Sequence, residues 1–559
     1  MTQNNSEYKK LFEEKKYSEL IFLIQTSKNE NELLAGEHNL LGVTRLLIQK
    51  NKENILLSLI NFENAYLKEK NTKIGLDALT NFINLKVDLY KISKSEIDVK
   101  KTLAYFHEAK EFWKYDKNLM LAIKRFYWCL NEVDKVQSVL TEMINNQDHD
   151  STTICSYIYS KGFDNDWTQE NFFSFSKFLQ EKTPTFKSDV LINFKKNQSN
   201  KIKLGFVSGD IRSNHSVTYF LKTVLLNYDK NNFEIYLYFN HEKDDEITDE
   251  FKKLVFKSKN INELNDIEAI NFIRNDEIDV AFDLMGATSS HRESLFKNRI
   301  APTQINWIGY CNTMGLNNND YILSDPNLIY KNEEQLYSEK IIYLPQIWNC
   351  HVGFTLERKE APIPYKKKNY ITFGSFNNFC KINDTVIKTW SEILKKVKKS
   401  KLILKPSGRS HTLRLKKAFK ENEVENSVIF YENIKSVNDH LKLYNEIDIA
   451  LDTFPYNGVT TSFEAIWMGV PVLTMKGYNF NSRCGESINK NLDLSNLIAK
   501  DKDDYVNIAL ELSEDIDKLA LLRKKIFKNA LQSSLFNTKI FSKNFFEILN
   551  SLKKNHEYF

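Results

Sequence analysis

Turn-forming residues are nearly absent from the first third of this 559-residue chain. All nine prolines lie after residue 183, and only four of the sixteen glycines precede residue 200. Proline and glycine mark loops and turns, so their scarcity predicts a mostly helical N-terminal region.

Cysteines are few and unpaired in the sequence. The six cysteines stand far apart, at positions 129, 155, 311, 350, 380 and 484. This spacing argues against a zinc ribbon or a disulfide framework and favours a reducing compartment. The first residues lack the apolar core of a signal peptide, and no run approaches the ~18 apolar residues of a membrane span. We therefore expect a cytoplasmic protein without a membrane span.

A strong excess of one charge is also absent. The 78 basic and 73 acidic side chains give a net charge of +5 and are spread along the chain. This balance argues against a nucleic-acid-binding surface, so we expect no nucleic-acid partner, whereas an anionic substrate is compatible with it. A hydrophobic content of 42% supports true cores, and the length suggests about three or four domains.

Residues 38–71 show apolar residues at helical spacing in two blocks. The pattern includes Leu41 and Gly42 in the first block, and Ser58, Phe62 and Ala65 in the second. It resembles a tetratricopeptide helical hairpin, although the second block lies about one helical turn later than the usual ~34-residue repeat places it. We predict a degenerate tetratricopeptide-like domain over residues 1–195, and a plain helical bundle is the alternative.

From Lys201 onward, short β-branched runs alternate with amphipathic segments. The first series contains KIKLGFVSG, FEIYLYFN, IDVAFDLMG and PTQINWIG, and the second contains YITFGSF, KLILKPS, SVIFY, IDIALDT and PVLTM. Alternation of this kind indicates parallel sheets with helices on both faces. The lysine-rich segment 357–369 separates the two series.

We predict two doubly wound α/β domains in tandem, a first lobe over residues 200–365 and a second lobe over residues 366–535. Ligands of such sheets bind outside the carboxyl ends of the strands. Two facing sheets place a cleft between these edges, so we expect the active site in that cleft.

One stretch of the second series, LDTFPYNGVTTSFEAIWMGVP (451–471), runs from a strand through a turn directly into a helix. The helix is predicted to begin near Thr460 or Thr461, where its free N–H groups and the two hydroxyls favour an anion such as phosphate. A capping box formed by Thr461 and Glu464 is the alternative interpretation.

Four stretches together resemble the catalytic region of the protein O-GlcNAc transferase and SPINDLY family. They are GFVSGDIRSNHSVTYFL (205–221), RIAPTQINWIGYCNTMG (299–315), ITFGSFNNFCKIND (371–384) and the stretch 451–471 followed by SRCGES (482–487). The resemblance covers about residues 200–535. It implies the GT-B fold of two facing Rossmann-like lobes after a helical repeat domain, with a C-terminal helix over residues 536–559 that crosses back to the first lobe.

The resemblance also implies an activity. Members transfer a sugar from a nucleotide sugar to Ser or Thr hydroxyls of proteins, with inversion and without a catalytic metal. We therefore expect no cofactor and no metal site, and a protein or peptide acceptor for which the helical repeats are a candidate docking surface. A homodimer is a candidate assembly.

Donor-binding roles in the second lobe follow from the resemblance. Lys381 matches the lysine that contacts the donor diphosphate, and it is a candidate catalytic residue because an ammonium stabilises charge on the leaving group. Asn378 is expected near the donor. His440 matches a histidine that packs against the nucleotide base.

The stretch 451–471 supplies further matches of the same kind. Thr460 and Thr461 match the phosphate-contacting pair, and Glu464 matches an acidic residue that binds the ribose hydroxyls. Asn457 and Gly458 complete the turn before the helix and are expected to bind the donor.

Residues of the first lobe are expected at the sugar and the acceptor. His215 matches the active-site histidine near both, and an ordinary histidine pKa near 6.5 suits a proton acceptor or a positioning group. Capping of the following helix is the alternative role for its segment. Gly309 and Thr313 are expected to line the sugar pocket, and Asp210 is expected to brace the loop of His215.

Several interpretations of the function remain open at this point. UDP-GlcNAc is the default donor that the resemblance implies, with GDP-fucose or UDP-glucose as alternatives. A tetratricopeptide-type binding protein whose catalytic region has decayed is an alternative of a different class. A GT-B epimerase or phosphorylase that acts on small sugars is the third.

Overall fold

The computed structural model describes residues 3–93, 98–192, 201–406, 409–431, 434 and 436–555. Contacts divide the chain into two compact units, one of residues 1–148 with 407–414 and one of residues 149–406 with 415–559. The ends of two predicted domains, residues 193–195 and 556–559, lie outside the described residues. None of the described helices has both the length and the hydropathy to cross a bilayer.

The first unit is built from helices joined by short loops. They are α1 (Gln3–Glu13), α2 (Tyr17–Ser27), α3 (Ala35–Ile48), α4 (Lys52–Lys68), α5 (Lys73–Ser93), α6 (Val99–Phe112), α7 (Lys117–Cys129) and α8 (Val133–Asn145). Helix α3 packs closely on α4, because a Cβ atom on Gly42 would lie only 2.5 Å from the Phe62 ring. The Ser58 hydroxyl donates a hydrogen bond to the Gly42 carbonyl at 2.8 Å. The predicted tetratricopeptide-like helical region is confirmed.

The first sheet has seven parallel strands, which all belong to the second unit. They are β1 (Ile202–Ser208), β2 (Phe233–Phe239), β3 (Lys257–Asn260), β4 (Val280–Asp283), β5 (Thr303–Asn306), β6 (Tyr321–Ser324) and β7 (Lys340–Tyr343). Their order is β3-β2-β1-β4-β5-β6-β7. Phe206 of β1 pairs with Leu237 of β2 on one side and with Phe282 of β4 on the other. The strand order therefore reverses between β1 and β4.

The second sheet has six parallel strands connected in the same way. They are β8 (Thr372–Ser375), β9 (Lys401–Leu404), β10 (Val428–Phe430), β11 (Ile449–Leu451), β12 (Val472–Met475) and β13 (Ile498–Ala499). Their order is β10-β9-β8-β11-β12-β13. Gly374 of β8 pairs with Ile403 of β9 and with Ala450 of β11. The prediction of two doubly wound sheets is confirmed.

Helices precede, connect and follow these strands. They are α9 (Ser151–Lys161), α10 (Gln169–Lys182), α11 (Ser216–Asn227), α12 (Glu246–Leu254), α13 (Asp266–Asn275), α14 (Glu293–Lys297), α15 (Tyr365–Lys368), α16 (Asp384–Lys396), α17 (Arg409–Glu421), α18 (Val437–Leu443), α19 (Thr460–Trp467), α20 (Cys484–Lys490), α21 (Lys502–Glu514), α22 (Ile516–Asn529) and α23 (Thr538–Asn555).

Alternate residues of β1 point into two different cores, as the strand period of two requires. Leu204 and Phe206 pack with residues of α11 and α23 on one face, whereas Val207 packs with residues of α9 and α13 on the other. Helices α9 and α10, which fall inside the predicted helical domain of residues 1–195, therefore share a core with the first sheet. On the opposite face, Phe545 of α23 lies 5.7 Å from Phe282 and 4.9 Å from Trp307 between ring centres.

Candidate active site

One cavity of about 230 Å³ lies at the carboxyl ends of strands from both sheets. The segments after β8 and β11, between which the order of the second sheet reverses, contribute Asn378, Lys381, Thr460 and Thr461 to its lining. Gly309, which follows β5 of the first sheet, lines it from the other side. Because doubly wound sheets bind ligands outside such reversal points, the cavity is the candidate active site.

Lys381 reaches from the segment after β8 to the turn before α19. Its Nζ donates a hydrogen bond to the Asn457 carbonyl at 2.8 Å and lies 4.4 Å from the centre of the Tyr456 ring. Burial lowers the pKa of Lys381, and the nearby carboxylate of Asp452 opposes this shift. The amine is therefore held in one place, where an anion in the cavity would favour its charged form.

The start of α19 is open toward the cavity. Val459 is the N-cap residue, and no side chain caps the helix. The first N–H groups of a helix have no intrahelical acceptor, so those of Thr460 and Thr461 are available at the positive end of the helix dipole. With Lys381 on the same cavity, these groups form a site suited to a phosphate.

The alternative interpretation of Thr461 and Glu464 as a capping box is wrong. Thr461 Oγ1 donates a hydrogen bond to Asn377 Oδ1 at 3.0 Å, 84 residues away in the chain. The Glu464 carboxylate accepts hydrogen bonds from the Tyr444 hydroxyl at 2.8 Å and from His440 Nε2 at 2.9 Å. Both side chains are thus held by tertiary contacts and not by the backbone of their own helix.

Close packing fixes the turn that carries Asn457 and Gly458. The Gly458 N–H donates to Asp452 Oδ1 at 2.7 Å. A Cβ atom on Gly458 would lie 2.6 Å from Thr461 Oγ1 and 2.9 Å from Asp452 Oδ1. Asn457 is fully buried, and its amide group donates to the Thr453 carbonyl at 2.9 Å. Neither predicted donor-binding residue lines the cavity; they shape the turn that faces Lys381.

His440 and Glu464 lie together in a buried network near the start of α19. Lys405 Nζ lies 3.1 Å from His440 Nδ1, and His440 Nε2 lies 2.9 Å from Glu464 Oε2, so the imidazole bridges the amine and the carboxylate. Burial lowers the pKa of Lys405, and the charge of Glu464 opposes this. Neither His440 nor Glu464 lines the cavity, so contacts with a base and a ribose stay predictions.

His215 lies at the first-sheet side of the site. It occupies the N-cap position of α11, but its side chain makes no capping hydrogen bond, so the capping alternative is wrong. His215 Nε2 lies 3.5 Å from Asp210 Oδ1, and Nδ1 is buried without a hydrogen-bond partner in the described chain. Burial lowers the pKa of His215. The next residue, Ser216, lines the cavity.

Of the two other residues predicted for the sugar pocket, only one lies at the cavity. Gly309 lines the cavity, and a Cβ atom there would lie 1.9 Å from the Leu284 carbonyl oxygen. Thr313 does not line it. Its side chain is 1% exposed, and its hydroxyl donates to the buried carboxylate of Glu339 at 2.7 Å. The Thr313 hydroxyl therefore stabilises a buried acid beside the site.

Several contributors were not found by sequence reasoning. Asn377 accepts from Thr461, and Asp452 anchors Gly458. Asp452 directly follows β11 and Asn377 comes two residues after β8, and this position at the carboxyl end of a strand was a usable signal. Cys311 lines the cavity, and burial together with the nearby Cys311 raises the pKa of the Cys484 thiol. No spacing in the sequence links these two cysteines, because they come from different lobes.

Comparison with known proteins agrees with this geometry. The sequence profile of the family described as Glycosyl transferase family 41 matches residues 177–354 and 357–545. A tomato (Solanum lycopersicum) protein named probable UDP-N-acetylglucosamine--peptide N-acetylglucosaminyltransferase SPINDLY is 32% identical over 365 residues, 63% of this chain and 39% of that protein. The corresponding protein SEC of Arabidopsis thaliana is 24% identical over 359 residues, 62% of this chain and 36% of its own length.

Among solved structures, a mutant of the Thermobaculum terrenum O-GlcNAc transferase is similar with a TM-score of 0.80 and 22% identity, over 93% of this chain and 98% of that one. At this identity the match concerns the fold, and it confirms the predicted GT-B architecture after a helical region. The chain spans about two fifths of the length of its curated relatives. Because the family profile covers well over half of the chain, the predicted resemblance is confirmed, and the chain belongs to glycosyl transferase family 41.

Proposed function

We propose that this chain is an enzyme that transfers a sugar from a nucleotide sugar to Ser or Thr hydroxyls of a protein or peptide. One observation carries the proposal: Lys381 and the uncapped start of α19 border the same cavity. A cation and a row of free N–H groups suit the diphosphate of a nucleotide sugar.

The donor half of the mechanism rests on charge at the leaving group. When the bond between sugar C1 and the diphosphate oxygen breaks, negative charge builds up on that oxygen. Lys381 and the N–H groups of Thr460 and Thr461 would stabilise this charge as it develops, and they are oriented before the ligand binds. In this proposal the chain itself supplies the positive charge, and no catalytic metal takes part.

The acceptor half involves a hydroxyl of Ser or Thr that attacks C1 from the face opposite the diphosphate, which inverts the configuration. The hydroxyl proton passes to His215 or to water. Burial favours the neutral form of His215, and the buried Nδ1 has no partner in the described chain. A neutral imidazole with a free nitrogen suits a proton acceptor or a group that positions the hydroxyl.

UDP-GlcNAc is the proposed donor. Support comes from the names of the tomato and Arabidopsis relatives, which specify UDP-N-acetylglucosamine and a peptide. GDP-fucose and UDP-glucose are the alternative donors of the same chemistry. We propose that Glu464 accepts hydrogen bonds from the ribose hydroxyls and that His440 contacts the base, for which their network would have to open toward the cavity.

Ligand binding tests the donor. The protein is heated with UDP, GDP and their sugars, because a ligand at ~100 times its dissociation constant raises the free energy of unfolding by about 2.7 kcal/mol. Stabilisation by UDP and UDP-GlcNAc, but not by GDP or GDP-fucose, is expected. The reverse pattern would assign GDP-fucose.

Turnover tests the enzyme against a decayed binding protein. Slow hydrolysis of the donor is measured by release of the nucleoside diphosphate, in the wild type and in Lys381→Ala. A rate in the wild type that falls in the variant supports the proposal. Equal zero rates in both proteins, with no transfer to added peptides, would favour a binding protein that retains the fold alone.

A further inference from the structure

A group of potential metal ligands lies outside the candidate active site. Cys155 of α9, His291 of the loop before α14, and Glu293 at the first position of α14 offer a sulfur, a nitrogen and an oxygen that all lie within 4.8 Å of one another. Cys155 is fully buried, and the side chains of His291 and Glu293 are 12% and 6% exposed. None of the three lines the cavity that contains Lys381.

The charges around this group favour a cation. Glu293 and the neighbouring Asp283 are both buried carboxylates. Buried carboxylates are costly unless a cation is nearby.

The adjacent guanidinium does not supply that cation. Arg292 stands between His291 and Glu293 in the chain, but it pairs with Asp266 at 2.7 Å and donates to Asn240 Oδ1 at 3.1 Å. In the part of the chain that the structure describes, the basic side chain that contacts Glu293 is that of His291.

We propose that Cys155, His291 and Glu293 bind one Zn²⁺ ion. Thiolate, imidazole and carboxylate are the ligands that zinc takes in proteins, at about 2.0–2.3 Å. Tetrahedral bonds of that length keep ligand atoms roughly 3.3–3.8 Å apart, so side-chain shifts of about 1 Å suffice. Binding releases the thiol proton of Cys155 to solvent, and water completes the coordination.

The ion would tie α9 to the first sheet. Cys155 belongs to α9, whereas Asp283 ends β4 and Glu293 begins α14. Ile154 and Cys155 of α9 already belong to the same buried hydrophobic cluster as Leu295 and Phe296 of α14. A bound ion would add covalent-like links across this contact and stabilise the fold, as structural zinc sites do. This role is independent of the metal-free chemistry proposed for the donor cavity.

Cobalt provides the decisive measurement. Untagged protein is stripped with a chelator and titrated with Co²⁺, which replaces zinc in such sites and shows thiolate ligation through a charge-transfer absorption. We expect saturation at one equivalent, loss of the charge-transfer band in Cys155→Ser, and displacement of cobalt by Zn²⁺. Cys129→Ser, which changes a cysteine of the first unit, is the matched control and should titrate like the wild type.

A second pair of variants covers the case in which Cys155→Ser does not fold. His291→Gln and Glu293→Gln should each weaken Co²⁺ and Zn²⁺ binding by at least about tenfold and abolish the rise in Tm that Zn²⁺ gives the wild type. Absence of a charge-transfer band in the wild type overturns the proposal. Binding that is unchanged in both variants overturns it as well.

Discussion

The two lobes contribute to the cavity in different ways. In the second lobe, Lys381 and Thr461 each donate to a protein acceptor, at 2.8 and 3.0 Å. In the first lobe, His215 has one nitrogen 3.5 Å from Asp210 and another buried without a partner in the described chain. The half assigned to the leaving group is therefore preorganised, whereas the half assigned to the nucleophile would be completed by its substrate.

Removal of the Lys381 amine is expected to have the largest effect, and it tests directly whether the second lobe stabilises the leaving group. Lys381→Ala should lower the rate of donor turnover by ~10²–10³, because loss of a preorganised charge at the leaving group costs that much in comparable sites. Release of nucleoside diphosphate is the measurement. Lys388→Ala, an exposed lysine of the adjacent α16, is the control. A loss no larger than that of the control would contradict the proposed role of Lys381.

The turn before α19 tests whether the second lobe acts through its shape. In Gly458→Ala, the added methyl group would meet Thr461, Asn377 and Asp452 within 2.9 Å. Overpacking of this kind costs about 1–3 kcal/mol, so we expect roughly tenfold weaker binding of the nucleoside diphosphate. Calorimetric titration measures it. Gly36→Ala, where the nearest side-chain atom is 3.9 Å away, should bind as the wild type does; equal affinities in both variants would show that the turn tolerates a side chain.

Most of the strands that the sequence predicts are apolar runs that are buried on both faces. Residues 202–208 and 233–239 are nearly all buried, and the alternation of such runs with amphipathic segments was sufficient to predict two doubly wound sheets. Strands β6, β7 and β13 were missed as well as β3, whose sequence, KSKN, is polar and half exposed. Strand β3 pairs only with β2, at the edge of the sheet. The strand conformation of β3 depends on its pairing with β2, and its own sequence carries no pattern that predicts a strand.

Positions in the candidate site were predictable where they follow a strand, and side-chain partners were not. The loop positions of Lys381 and Thr460 followed from the order of strands, turns and helices together with the family resemblance. The bond from Thr461 to Asn377 joins residues 84 apart in the chain, and Thr313 turns toward Glu339. Neither contact has a counterpart in spacing or composition, so both required the three-dimensional structure.

A disulfide between the two lobes is expected to have a smaller effect on turnover, and it tests whether the lobes move during catalysis. Cys311 of the first lobe lines the cavity, and burial together with the nearby Cys311 raises the pKa of Cys484 of the second lobe. Hydrogen peroxide should oxidise one thiol to a sulfenic acid that condenses with the other, which forms a disulfide and releases water. We expect a several-fold loss of turnover that a thiol reductant reverses, because lobe movement often limits release of products.

Peptide mapping by mass spectrometry detects this bond. Cys484→Ser should resist the oxidant, whereas Cys129→Ser should respond as the wild type does. A disulfide that leaves turnover unchanged would show that the lobes need not move during catalysis. Oxidation without a bond between these two cysteines would contradict the contact seen in the structure.

The pH dependence of turnover tests the role of His215 in the first lobe. It is expected to show the smallest effect of these predictions. Burial lowers the pKa of His215, the charge of Asp210 raises it in part, and that of Arg212 lowers it. His215 is therefore neutral above its ordinary pKa near 6.5, and a proton acceptor loses activity only as the pH falls below that value. We expect less than about a twofold change in kcat/KM between pH 7 and 8, and a falling limb on the acid side.

Variants of Asp210 and His215 show which group causes the fall of kcat/KM on the acid side. Asp210→Asn removes the charge that raises the pKa of His215, so the midpoint of the limb should move to lower pH, provided that Tm shows a folded protein. His215→Gln should abolish the limb and lower the plateau. A limb that persists in His215→Gln would belong to another group, and the first lobe would then act through position alone, with the proton of the acceptor hydroxyl passing directly to water.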